Sequence, residues 1–186
     1  MDENPDHLPA APVAVRRLQL LLATATVAVL IADQVTKYLA VSRLTENVPV
    51  TVIPGLFQFR LIRNPGAAFS LATGTTWIFT IVAATVSVVI VRIARRIGSL
   101  GWAVCLGLLL GGAVGNLLDR LFRAPGFGRG HVVDFIEYLK FPFMTFPIFN
   151  VADSCIVISA ILIALMGVRN IPIEGRPVLG ERSASG

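Results

Sequence analysis

The sequence predicts an all-α membrane protein: four transmembrane helices with a small extracytoplasmic β-sheet. Three observations carry that expectation. The 186-residue chain is 55% hydrophobic and only 15% charged, with a mean hydropathy of +0.76, more apolar than a soluble domain of its size. A hydrocarbon core about 30 Å thick needs roughly 20 helical residues to cross it, and four apolar segments qualify, at about 18–41, 75–91, 97–118 and 146–168. Between the first two, VPVTVIPGLFQFRLIR (Val48–Arg63) alternates in part. Phe57, Phe59 and Leu61 fall on one side and Gln58 and Arg60 on the other, the pattern of a short sheet at the membrane interface.

In chain order, residues 1–15 combine acids with prolines, lack helical periodicity and read as a disordered cytoplasmic tail. The membrane domain is expected over 16–169. Its first apolar run is longer than the core of a signal peptide and leads into Asp33 and Lys37 with no small-residue cleavage pattern, so it stays as a helix. Asp33 and Lys37 stand i,i+4 with the acid first, a spacing that pairs them on one helical face. Residues 42–74 form the extracytoplasmic β region, ending in the turn-forming Asn64-Pro65-Gly66-Ala67-Ala68-Phe69-Ser70. Arg92, Arg95 and Arg96 close the second helix. Gly107, Gly111 and Gly115 give the third two consecutive GxxxG steps, which favour close packing against another helix. Asn116, Asp119 and Arg120 end that helix, a loop over 119–147 follows, and Asn150 and Asp153 lead into the fourth. Residues 170–186 read as a flexible cytoplasmic tail.

Four spans alternate direction, so Asp33, Asn64, Asn116, Asp119 and Asp153 share one membrane face. Arg16, Arg17, Arg92, Arg95, Arg96 and Arg169 take the other, which the positive-inside rule makes cytoplasmic. An ionised Asp at mid-membrane costs about 2.5–3.5 kcal/mol, so such acids are paired or functional. Asp33 has Lys37, and Asp119 has Arg120 beside it and Arg123 four residues on. Asp134, in HVVDF, and Asp153, in FNVADS, have no basic residue within four positions. Two unpaired carboxylates brought together at an apolar boundary share a proton, because each charge raises the other's pKa. That is the arrangement of an aspartyl protease, with a structural or ion-pathway role for the acids as the competing reading.

Other hydrolytic designs do not fit. HExxH is absent, the histidines are His7 and His131 alone, and no metal or cofactor is expected. GxSxG and GxGD are missing too. The net charge of +5 is spread over helix flanks with no basic stripe, which argues against a nucleic-acid partner. Cys105 and Cys155, in separate spans, read as small packing residues.

The motifs Asp33-Gln34-Val35-Thr36-Lys37, Asn64-Pro65-Gly66-Ala67-Ala68-Phe69, Gly111 through Arg120, Val133-Asp134-Phe135 and Phe149-Asn150-Val151-Ala152-Asp153-Ser154 together resemble bacterial lipoprotein signal peptidase, or signal peptidase II, over residues 18–168. The resemblance implies a monomeric aspartyl endopeptidase of the bacterial cytoplasmic membrane, with both termini cytoplasmic and the active site extracytoplasmic. It implies diacylglyceryl-modified prolipoproteins as substrates, cut before the lipid-bearing lipobox cysteine, in contact with membrane lipid, and inhibition by globomycin. It also implies Asp134 and Asp153 as the catalytic pair. Asn64, Asn116, Arg120 and Asn150 would hold the substrate backbone or order the pair, with Asp33, Lys37 and Asp119 in support. The interface sheet and the Phe-rich stretch Phe141–Phe149 are expected to clamp or cover the substrate. The alternative is a small helical transporter or proton-coupled carrier, which predicts acids spread through the depth of the spans.

Overall fold

The computed structural model of the chain describes residues 12–66, 76–140 and 146–174. Four long helices, α1 (Pro12–Arg43), α2 (Thr76–Ile93), α3 (Leu100–Phe122) and α4 (Val151–Val168), accompany three strands, β1 (Val50–Ile53), β2 (Phe57–Asn64) and β3 (Val132–Tyr138). All four helices are long and apolar enough to cross a membrane. The tails at 1–11 and 175–186, the end of the Asn64–Ser70 turn and most of the Phe-rich stretch lie outside the described residues.

The bundle is built on α3. Half of its most apolar window is buried, against 6% for α2 and 17% for α1 and α4, so the other three shield it and turn their own apolar faces outward. The glycine face makes this possible. A Cβ on Gly111 would stand 2.7 Å from the Val29 Cβ and 2.9 Å from the Thr26 carbonyl, so only glycine lets α1 and α3 approach this closely. At the far end of the same face, a Cβ on Gly115 would meet the Asp33 carboxylate at 2.6 Å. The packing stripe therefore runs straight into the polar end of the bundle.

The antiparallel sheet has order β1-β2-β3. β1 turns into β2 through Pro54-Gly55, where Gly55 takes φ +68° and Leu56 N–H reaches the Ile53 carbonyl at 3.0 Å. This is the geometry in which proline at the second and glycine at the third turn position are favoured. β3 lies within the stretch expected to be a loop. It pairs with β2 so that Ile62 faces Asp134 and Asn64 faces Val132, with an irregularity between Phe59 and Ile62. Leu61, Val133, Phe135 and Ala40 form a small core between sheet and α1. Gln58, on the face opposite Phe57 and Phe59, is buried. Its amide donates to Glu137 at 2.5 Å, and Arg60 Nε lies 3.0 Å from the same carboxylate.

Two helix boundaries shift in ways that matter for the site. The third helix runs to Phe122, beyond the expected 118, so Asn116, Asp119 and Arg120 stand on regular helix. The fourth begins at Val151, where Asn150 caps it, and not at 146. Residue 149 instead joins the sheet: Phe149 N–H reaches the Ile136 carbonyl at 3.0 Å and Ile136 N–H returns to Phe149 at 2.9 Å.

Candidate active site

Asn150 is the hinge on which the site is assembled. It is the N-cap of α4, and its side-chain oxygen accepts from Asp153 N–H at 2.9 Å while Asp153 accepts from Asn150 N–H at 3.2 Å, a reciprocal capping box. The cap fixes Asp153 at the start of the helix with its carboxylate turned back toward the sheet. The Asn150 amide nitrogen is left to point the other way. It donates to Asp134 at 2.7 Å, with the Val133 carbonyl at 3.3 Å and the Asn116 oxygen at 3.2 Å. One asparagine thus contacts both carboxylates expected to be reactive.

Each carboxylate has a second amide donor. Asn64, at the end of β2, donates to the other oxygen of Asp134 at 2.8 Å, a contact set by the antiparallel register of β2 and β3. Asn116, on α3, donates to Asp153 at 2.7 Å. Asp134 is about 1% exposed. Burial pushes its carboxyl up to about 7, helped by the nearby charge of Asp153 and opposed by the Asn64 and Asn150 hydrogen bonds and by Lys37.

Beneath this pair lies a second polar cluster of different composition. Lys37 Nζ stands 2.8 Å from Asp33 and 2.9 Å from Asp119, and all three side chains are essentially inaccessible. Its third donor bond goes to the Asn116 oxygen at 3.0 Å. That contact orients the Asn116 amide so that its nitrogen faces Asp153, making Asn116 the link between the two clusters. Asp33 also accepts from Ala152 N–H at 3.0 Å, filling one of the orphan donors at the start of α4. Asp119 accepts from Val133 N–H at 3.1 Å and from Arg123 at 2.5 Å. Each acid thus ties its own helix to the element bearing one of the upper carboxylates.

Arg120 departs from the expected pairing with Asp119. Its guanidinium lies over the Phe79 ring, 5.1 Å from the centroid, a cation–π contact. Its Nη1 is buried with no hydrogen-bond partner among the described residues. Sequence reasoning missed Phe79, and also Gln34, whose amide donates to Asp33 at 3.0 Å and to the Gly115 carbonyl at 3.2 Å. For Gln34 a signal was present: its place one residue after Asp33 in a polar pentapeptide on an otherwise apolar helix. For Phe79, one aromatic among many in an apolar span, there was none.

Residues 25–169 match the family described as signal peptidase (SPase) II. The chain belongs to the signal peptidase II family. It is 47% identical over 175 residues to a lipoprotein signal peptidase of Rhodococcus jostii, covering 94% of this chain and 85% of that one. A lipoprotein signal peptidase of Streptomyces griseus is 46% identical over 188 residues, covering 94% of this chain and 93% of the relative. A solved bacterial membrane enzyme superposes with a TM-score of 0.69 at 30% identity, over 88% of this chain and 99% of that one. Signal peptidase II membership makes the chain an aspartic-type peptidase and a multi-pass membrane protein. The carrier alternative is not favoured: the buried acids gather at one end of the bundle and do not line a path through it.

Proposed function

We propose that the chain cleaves signal peptides from diacylglyceryl-modified prolipoproteins, with Asp134 and Asp153 as the catalytic pair, cutting before the lipid-bearing cysteine. The observation that carries this reading is the sharing of Asn150 by two carboxylates, Asp134 buried and Asp153 half-buried, that form no ion pair among the described residues. Near neutral pH such a pair holds one proton. The proton rests on Asp134, the carboxyl that burial pushes up to about 7. Asp153 carries the negative charge, placed at the N-terminus of α4 among N–H donors.

Asp153 then takes a proton from a water molecule as the oxygen attacks the scissile carbonyl, and Asp134 donates its proton to the carbonyl oxygen. In collapse of the tetrahedral intermediate the roles reverse, the amine leaving with the proton held by Asp153. Asn64, Asn116 and Asn150 hold the two carboxylates in register. The unpartnered Nη1 of Arg120 is suited to a substrate carbonyl. Asp33, Lys37 and Asp119 keep the ends of α1 and α3 fixed to α4 and β3.

The topology assigned to the molecule is four spans in the bacterial cytoplasmic membrane, both termini cytoplasmic and the carboxylates extracytoplasmic. It is supported by Arg16, Arg17, Arg92, Arg95, Arg96 and Arg169, which all fall at or beside the opposite helix ends. Residues 16–169 form the catalytic unit, acting as a monomer in contact with membrane lipid, and globomycin inhibits it. The test is cleavage of a purified diacylglyceryl prolipoprotein and of its unlipidated form. Only the lipidated substrate should be cut, with globomycin stopping the reaction. Equal cleavage of both forms would rule out the substrate assignment.

A further inference from the structure

A cavity of about 520 Å³ opens beside the outer end of α1, and neither Asp134 nor Asp153 lines it. Its wall is mostly apolar, with Leu39 and Ala40 from α1, Leu44 just beyond, Phe59 from β2 and Phe135 from β3, and Thr36 of α1 as its one uncharged polar residue. Its one charged lining residue is Arg43, in the last turn of α1. The size lies in the range of small-molecule sites.

The groove has a polarity gradient along the membrane normal. Arg43 stands at the end of the span and Leu39 about one turn deeper, roughly 6 Å at 1.5 Å per residue. No carboxylate pairs with Arg43 among the described residues, and the acid nearest in sequence, Glu46, is engaged by Arg63 at 3.4 Å. The same stretch of α1 faces outward elsewhere: Val35, Tyr38 and Leu39 are all exposed, and in a membrane-spanning helix the medium they meet is lipid. A cation at the headgroup level above an apolar slot matches the two ends of a phospholipid.

We propose that this groove binds an anionic glycerophospholipid of the bilayer, its phosphate against Arg43 and an acyl chain along Leu39, Phe59 and Phe135. The diacylglyceryl group of a prolipoprotein bears no phosphate and would leave Arg43 without a counter-charge. The groove is therefore assigned to a bilayer phospholipid and not to the substrate's diacylglyceryl group. Phe135 adjoins Asp134 in β3 and packs with Leu61, Val133 and Ala40, so the bound chain lies against the core that carries the catalytic strand.

Native mass spectrometry of the delipidated full-length protein, offered equal dioleoyl phosphatidylglycerol and dioleoyl phosphatidylcholine, tests this without any cleavage reaction. Wild type should retain phosphatidylglycerol in preference. Arg43→Gln should lower that preference about fivefold, the effect of one basic side chain on an anionic lipid. Arg129→Gln, an exposed arginine outside the groove, should leave it unchanged, and excess glycerol 3-phosphate should not displace the lipid. Equal retention of the two lipids by wild type overturns the proposal. So does an Arg129→Gln loss as large as that of Arg43→Gln, or full displacement by glycerol 3-phosphate.

Discussion

Two carboxylate clusters occupy the same end of this bundle, joined through Asn116, and they are balanced in opposite ways. Asp33 and Asp119 share Lys37, with Arg123 as a further partner for Asp119. Among the described residues, Asp134 and Asp153 receive side-chain and backbone hydrogen bonds from Asn64, Asn116 and Asn150, all neutral donors. An ammonium between two acids balances their charge and makes them mechanical ties. Amide donors hold a carboxylate in place and leave its proton free to move, which is what a pair that alternates as acid and base requires. On the proposed mechanism, the contrast is how one fold keeps four aspartates near one another and makes two of them reactive. Asn116, bonded to Lys37 on one side and Asp153 on the other, marks the boundary.

If the division holds, substitutions on its two sides should fail in different ways. The largest effect falls on the reactive side. Asp134→Asn and Asp153→Asn should each lower kcat for prolipoprotein cleavage by roughly 10²–10⁴-fold, the range of a lost general acid or base, with thermal stability in detergent near that of wild type. On the balanced side, Lys37→Met leaves two buried carboxylates without their cation. The expected loss is about 3–5 kcal/mol of stability, seen as a lowered unfolding midpoint, and Asp33→Asn introduced into the same variant should recover part of it. A Lys37→Met protein that melts like wild type but cleaves poorly would move Lys37 to the reactive side.

Smaller effects sharpen the comparison. Because burial pushes Asp134 up to about 7 and the proposed mechanism uses its protonated form, kcat/KM should fall as pH rises through about 7, approaching tenfold per unit above it. The Asn64 hydrogen bond stabilises the ionised form, so Asn64→Ala should carry that alkaline limb to higher pH while weakening activity. A limb that stays in place or moves down would contradict the proton assignment. Smallest of all, Arg123→Gln removes a partly exposed partner of Asp119 and should cost about 1 kcal/mol or less, because Lys37 remains.

The sequence made the four spans legible through hydropathy, and the Asp33–Lys37 pair through its spacing on one helix. The separation of paired from unpaired aspartates was readable too, because Asp134 and Asp153 lack local cations. Long-range geometry was not. Lys37 reaches Asp119 across the α1–α3 contact, and no local rule couples those positions. β3 was hidden because Val132–Tyr138 follows a stretch of Gly and Pro. One of its polar residues, Glu137, is buried against Gln58 instead of facing solvent, which breaks the alternation that marks a strand. Arg120 was assigned to its sequence neighbour Asp119, yet on a helix adjacent residues point in different directions, and the guanidinium found Phe79 instead. The asparagine at position 150 was noted for the family motif it sits in. Its role as cap and bridge came only with the fold.

The most direct test of the central claim is single-turnover cleavage of a diacylglyceryl prolipoprotein by Asp134→Asn, Asp153→Asn and the double variant, each shown to be folded. If the two carboxylates act as one proton-sharing unit, each single substitution should be about as damaging as the double. A single variant that cleaves at the wild-type rate, or losses that multiply in the double, would show that Asp134 and Asp153 do not work as a pair.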